Sequence, residues 1–208
     1  DLTDQYRQPV LIMADGMTGQ MMEPVELPEL KEPPRPPRPW ALTGAKDRPK
    51  NIITSLYLNP EQLEQLNLQL QATLRDIERN EVRYDATLLE DAEIAVIAFG
   101  TVARIARTAV RKARDKGIKV GLFRPITTYP FPYTALKEHA GRAAHALVVE
   151  MSAGQMLEDA RLALCGAMPI HFLGKMGGLV PLPDEILSHI ETIASGGRPE
   201  PGARSLTP

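Results

Sequence analysis

Residues 94–99 read IAVIAF and residues 100–117 read GTVARIARTAVRKARDKG, and the change of period between them decides the fold. The first run is uniformly apolar, as a strand covered on both faces must be. The second places Val102, Ile105, Ala106, Ala109, Val110 and Ala113 at three- and four-residue steps. That spacing predicts an amphipathic helix opened at Gly100-Thr101 and closed by Gly117 at its C-cap. The same unit recurs downstream. Further apolar runs at 118–123, 145–150 and 170–173 are separated by helical segments near 133–140 and 155–164, and a last helical segment covers 184–194. Strands alternating with helices imply right-handed crossovers, so residues 93–195 are expected to form a three-layer α/β/α domain around a mainly parallel sheet.

Upstream the signals are sparser. Residues 9–15 (PVLIMAD) read as a short buried strand. One strand makes no sheet, so it must pair with material outside this chain or be displaced. Half of the residues in 28–39 (PELKEPPRPPRP) are proline, which removes backbone donors and favours an extended connector, and the linker is taken as 28–50. Residues 51–58 (NIITSLYL) are β-branched and predict a short strand. Asn59-Pro60-Glu61-Gln62 carries the signature of a helix start. Leu63, Leu66, Leu70, Leu74 and Ile77 then predict a helix over 60–80 packed along one face. Residues 196–208 are expected to be a flexible tail.

With 24 basic against 26 acidic residues and a net charge of -2, the chain offers no bulk attraction to nucleic acid or to an anionic membrane. No apolar stretch approaches the ~20 residues of a membrane span. A single cysteine, Cys165, leaves no internal disulfide, no iron–sulfur cluster held by this chain alone and no multi-cysteine zinc site, and implies a reducing, cytoplasmic setting. Asp1 in place of methionine, followed closely by an apolar run, points to a piece of a longer polypeptide.

In an open parallel sheet, ligands meet the carboxyl ends of the strands, which singles out Gly100, Thr101, Arg124, Glu150, Gly174 and Lys175. Thr101 reads first as a helix N-cap, with an anion at the helix N-terminus as the alternative. Arg124, held extended by Pro125, could pair with a phosphate or carboxylate ligand, or with Glu150 across the rim. Glu150 ends an apolar strand, where a carboxylate must be exposed or paired, and an ion pair is preferred over acid–base work. The loop of residues 174–178 is glycine-rich but lacks phosphate-loop spacing. Arg104, Arg107, Arg111, Lys112, Arg114 and Lys116 lie on the polar side of one helix without interleaved aromatics, so a solvated face or an acidic partner subunit is expected rather than nucleic acid. None of His139, His145, His171 and His189 has metal-ligand spacing to a second ligand.

Three stretches are more particular than periodicity requires: Asp15-Gly16 running on through residues 19–25 (DGMTGQMMEPV), residues 124–132 (RPITTYPFP) and residues 149–159 (VEMSAGQMLED). Together they resemble the alpha subunits of the 2-oxoacid:ferredoxin oxidoreductases, and most of all the branch acting on 3-methyl-2-oxobutanoate (ketoisovalerate), with the 2-oxoglutarate branch next. The resemblance implies that residues 1–27 are the end of a thiamine pyrimidine-binding domain and that residues 51–195 form a domain similar to the C-terminal domain of transketolase. It implies oxidative decarboxylation of a 2-oxo acid, with the acyl group passing to coenzyme A and electrons to ferredoxin. Thiamine diphosphate, Mg²⁺ and iron–sulfur clusters would be cofactors of the assembly, and beta, gamma and iron–sulfur subunits its partners. The glutamate that activates the thiamine in that family lies on residues this chain lacks, so no catalytic and no metal-binding residue is assigned. This segment would then serve subunit assembly and the coenzyme-A-facing rim. Two other readings stand beside it. One is a stand-alone α/β binding or scaffold domain. The other is the beta subunit of a lipoamide-linked 2-oxoacid dehydrogenase.

Overall fold

A computed structural model describes residues 1–29 and 37–199. The chain divides into two compact units, residues 1–13 with 20–77, and residues 14–19 with 78–208.

The first unit contains α1 (Leu2–Tyr6) and most of α3 (Pro60–Asn80), and α2 (Gly16–Gln20) lies across the boundary between the units. The start of α3 follows its sequence signal, since the Asn59 side-chain oxygen accepts the Gln62 backbone N–H at 2.9 Å. Its apolar stripe, however, buries no residue. The two strands expected here do not form. Residues 9–15 and 51–58 are without strand structure, and Ile12 is 97% exposed. An apolar run becomes a strand only beside another strand, because its backbone groups otherwise remain with water. Of the proline-rich run, residues 30–36 lie outside the described residues, and the described remainder is neither helix nor strand. Residues 200–208 of the expected tail also lie outside them.

The second unit holds a five-stranded sheet in the order β1-β3-β2-β4-β5, with β1 Tyr84–Thr87, β2 Ile94–Ile97, β3 Val120–Pro125, β4 His145–Glu150 and β5 Ile170–Gly174. The last four are parallel and β1 is antiparallel to β3. Helices α4 (Gly100–Asp115) and α7 (Pro183–Ala194) cover one face over Val96, Leu122, Leu147 and Leu173, while α5 (Tyr133–Ala140) and α6 (Gln155–Leu164) cover the other over Ala95, Ile97, Phe123 and Val148. Alternate residues of β2 to β5 thus enter opposite layers, which is why the middles of these strands are apolar.

Two boundaries differ from the expected ones for a physical reason. Lys116 is the C-cap of α4, and Gly117, at φ 80°, stands one residue beyond it. Its N–H reaches the Arg114 carbonyl at 2.9 Å and the Ile118 N–H reaches the Ala113 carbonyl at 3.0 Å. This Schellman closure satisfies the helix end with the first residue of the expected strand, so β3 starts at Val120. β1 (YDAT) was not foreseen because half of it is polar and no apolar run announces it.

Candidate functional site at the carboxyl edge of the sheet

The order β3-β2-β4-β5 places the reversal of the winding between β2 and β4, since β2 leads into α4 on one face and β4 into α6 on the other. In open α/β sheets the crevice at this switch point receives ligands. The segments that leave β2 and β4 on either side of this point are Phe99-Gly100-Thr101 and residues 150–154.

Glu150 is fully buried, at 0% exposure. Among the described residues its carboxylate makes no ion pair, contrary to expectation. One oxygen accepts the Ser152 hydroxyl at 2.5 Å and the Met156 N–H at 3.2 Å, and the other accepts the Leu157 N–H at 3.1 Å. The reason is local. Helix α6 has Gly154 as N-cap, at φ 108° and without a side chain to accept its free N–H groups, and the strand carboxylate reaches over to do so. A helix N-terminus and a hydroxyl supply what a cation would have supplied.

Arg124 lies at the same edge but on β3, with β2 between it and β4. Its partner is Asp85, directly opposite on β1, at 3.0 Å, and its Nε is buried without a hydrogen-bond partner. Lys175 adjoins Glu150 through its backbone, N–H to carbonyl at 3.0 Å, and its ammonium pairs with Glu185 at 2.5 Å. Gly174 admits no side chain, since a Cβ there would stand 2.8 Å from the Ser152 carbonyl oxygen.

Thr101 is not the N-cap of α4. Phe99 holds that position and Thr101 is the second helical residue. Its hydroxyl lies 3.1 Å from the Thr18 hydroxyl, and the Thr18 N–H donates to Asp15 at 2.7 Å. The Thr18 N–H and the Thr101 hydroxyl hold the Asp15 carboxyl below its ordinary pKa. A carboxylate beside the start of α4 makes this a polar cluster already supplied with negative charge. Gly100, at φ 56°, opens onto free space. Spacing gave no hint that Asp15 and Thr18 would reach Thr101; the signal available was the unusual DGMTG sequence itself.

The basic side of α4 is largely paired within the chain. Arg114 grips both oxygens of Asp91 at 2.9 and 2.7 Å and also donates to the Leu88 and Val120 carbonyls, while Lys112 pairs with Asp184 and Lys116 with Glu191. His139 contacts the Tyr84 hydroxyl at 3.3 Å, His189 meets the Glu185 carbonyl at 3.0 Å, and at the opposite edge His145 lies 3.3 Å from His171. Burial lowers the His171 pKa, with the nearby charges of His145, Arg198 and His189 adding to it. Among the described residues no group of three or more His, Cys, Asp or Glu could hold a metal ion, and no helix is long and apolar enough to cross a membrane.

Comparison with known proteins gives these residues a context. Residues 92–186 match the family described as pyruvate:ferredoxin oxidoreductase core domain II. The chain is 45% identical over 195 residues to ketoisovalerate oxidoreductase subunit VorB of Methanothermobacter marburgensis, covering 93% of this chain and 55% of the relative. It is 30% identical over 216 residues to 2-oxoglutarate synthase subunit KorA of the same organism, covering 91% and 58%. Among solved structures, a 2-oxoglutarate:ferredoxin oxidoreductase from Magnetococcus marinus, with 2-oxoglutarate, coenzyme A and succinyl-CoA bound, superposes with a TM-score of 0.59. The match has 17% identity and covers 66% of this chain and 24% of that one, which establishes likeness of fold. The chain spans about half the length of the curated relatives it matches.

Proposed function

The chain belongs to the family of 2-oxoacid:ferredoxin oxidoreductase alpha subunits, and from that premise we propose that it works as the α/β segment of an enzyme that decarboxylates a branched 2-oxo acid such as 3-methyl-2-oxobutanoate. The acyl group passes to coenzyme A and the electrons to ferredoxin. One observation carries the reading. The stretches around Asp15, Arg124 and Glu150 that resemble the family lie far apart in sequence, yet each abuts the carboxyl edge of the same sheet.

The described residues do not fit the assembly's inorganic groups: they contain no three-ligand metal cluster, and Cys165 is a lone, exposed thiol. In this reading thiamine diphosphate with its Mg²⁺, and the iron–sulfur clusters, are assigned to other parts of the assembly, and no step of the reaction is routed through this chain. Its own contribution is positional. Glu150 fixes the turn from β4 into α6, Lys175 is tied back to that turn, and the rim so formed is offered to partner subunits and to coenzyme A.

The test is purification of the native polypeptide with its partners. The complex should reduce ferredoxin in a reaction that depends on both 3-methyl-2-oxobutanoate and coenzyme A. A complex that carries a lipoyl subunit and reduces NAD⁺, or one indifferent to 2-oxo acids, would overturn the assignment.

A further inference from the structure

At the amino edge of the sheet, away from the rim, two histidines meet through strand register. His145 opens β4 and His171 is the second residue of β5. Leu147 stands opposite His171, so His145 lies two residues back on the same face of the neighbouring strand, the face covered by α4 and α7. His145 Nδ1 and His171 Nε2 are 3.3 Å apart, and the rings are tilted by 43° with centroids 5.4 Å apart. That distance is long for a nitrogen–nitrogen hydrogen bond. It matches two ligands of one tetrahedral ion, because metal–nitrogen bonds of about 2.0–2.1 Å place such nitrogens about 3.3–3.4 Å apart.

We propose that His145 and His171 form a two-imidazole site for a divalent transition-metal ion of the zinc class, with water completing the coordination. Imidazole is a ligand suited to such ions. A strand pair fixes the spacing more firmly than a loop would. Helix α7 leaves the carboxyl edge after β5 and returns, so its last carbonyls, around Ala194, bring partial negative charge toward this edge. Arg198 opposes the ion, being close enough to weigh on His171. Among the described residues no third side chain completes the set. The site thus takes a solvated ion rather than enclosing a structural one, and it stands independently of the reaction proposed above.

Zn²⁺ alone is the probe, titrated calorimetrically at pH 7.5 into the full chain carrying Cys165→Ser, which removes the one competing thiol. One equivalent should bind. Long-range ¹H–¹⁵N spectra should show His145 Nδ1 and His171 Nε2 perturbed together, with His139 unmoved. His145→Ala and His171→Ala should each weaken binding by about tenfold or more, since even residues supporting a metal ligand are worth that much. Arg198→Ala should tighten it. Absence of binding, binding that survives both histidine substitutions, or perturbation confined to other histidines would overturn the site. Should an alanine variant fail to fold, the imidazole spectrum of the chain with both histidines present decides alone.

Discussion

The Glu150 carboxylate, at the end of β4, accepts the Leu157 backbone N–H at 3.1 Å, so a strand residue caps the helix that follows it. Its second oxygen serves Met156 and Ser152. Every acceptor direction used points at a donor, and a neutral amide cannot reproduce this, because its NH₂ must face one of the backbone N–H groups. Glu150→Gln should therefore lose about 1.5–3 kcal/mol, the range for a hydrogen bond to a charged group. Glu150→Ala should lose about 3–5 kcal/mol, as three donors and a void are left behind. Urea unfolding measures both. A Gln variant with an unchanged midpoint would show that the carboxylate is not the cap.

The reach of the sequence can be judged from such residues. The parallel core was legible because IAVIAF (94–99) and ALVV (146–149) are apolar without interruption, and only a strand buried on both faces requires that. The antiparallel edge was not, since the worth of YDAT lies in its neighbour: Asp85 becomes meaningful only opposite Arg124. Conversely, residues 9–15 looked like a strand and lack the ladder that would make them one. At the rim, Glu150 was correctly marked as a carboxylate in need of a partner, but the partner expected was a cation. The usable signal was Gly154, a helix start with no cap of its own. His145 and His171 have no ligand spacing in sequence, and only the register of β4 on β5 brings their rings together.

Tyr133 and Asp159 tie α5 to α6 across their layer, hydroxyl to carboxylate at 2.5 Å. The bond to Asp159, with burial and the aspartate's charge, pushes the Tyr133 pKa up to about 12. A folded pKa above the unfolded value near 10 gives stability that is complete below pH ~10 and fades as pH rises through the folded value. The side chain is 38% exposed, so the bond is worth only about 1 kcal/mol. Phenolate absorbance should show one tyrosine titrating late, and Tyr133→Phe should abolish that step and flatten the alkaline loss of stability. A late step that persists in Tyr133→Phe would assign the shift to another tyrosine.

Arg124 pairs with Asp85 while both side chains stay partly exposed, at 36% and 45%. Such a pair contributes about 0–1 kcal/mol. In the assembled enzyme, Arg124→Ala should then leave the melting temperature almost unchanged. If the rim faces coenzyme A, the KM for coenzyme A should rise with the KM for the 2-oxo acid unaltered. A fall in stability with the coenzyme A KM unchanged would make Arg124 scaffold alone.

The last expectation concerns the chain in isolation. A thiamine diphosphate site needs an activating carboxylate on the pyrimidine side and a metal with oxygen ligands on the diphosphate side. The described residues contain no three-ligand cluster for the second, and the one fully buried carboxylate, Glu150, is already engaged by its three donors. A ligand that binds only the native state adds RT ln(1 + [L]/Kd) to stability, about 2.7 kcal/mol at ~100 times Kd. For a chain of this size that corresponds to a rise of roughly 5–10 °C in Tm. Thiamine diphosphate with Mg²⁺ should produce no such rise with the isolated chain and a clear one with the assembled complex. A reproducible, Mg²⁺-dependent rise in the isolated chain would mean that it carries a complete site, and the purely positional role assigned to it would have to be given up.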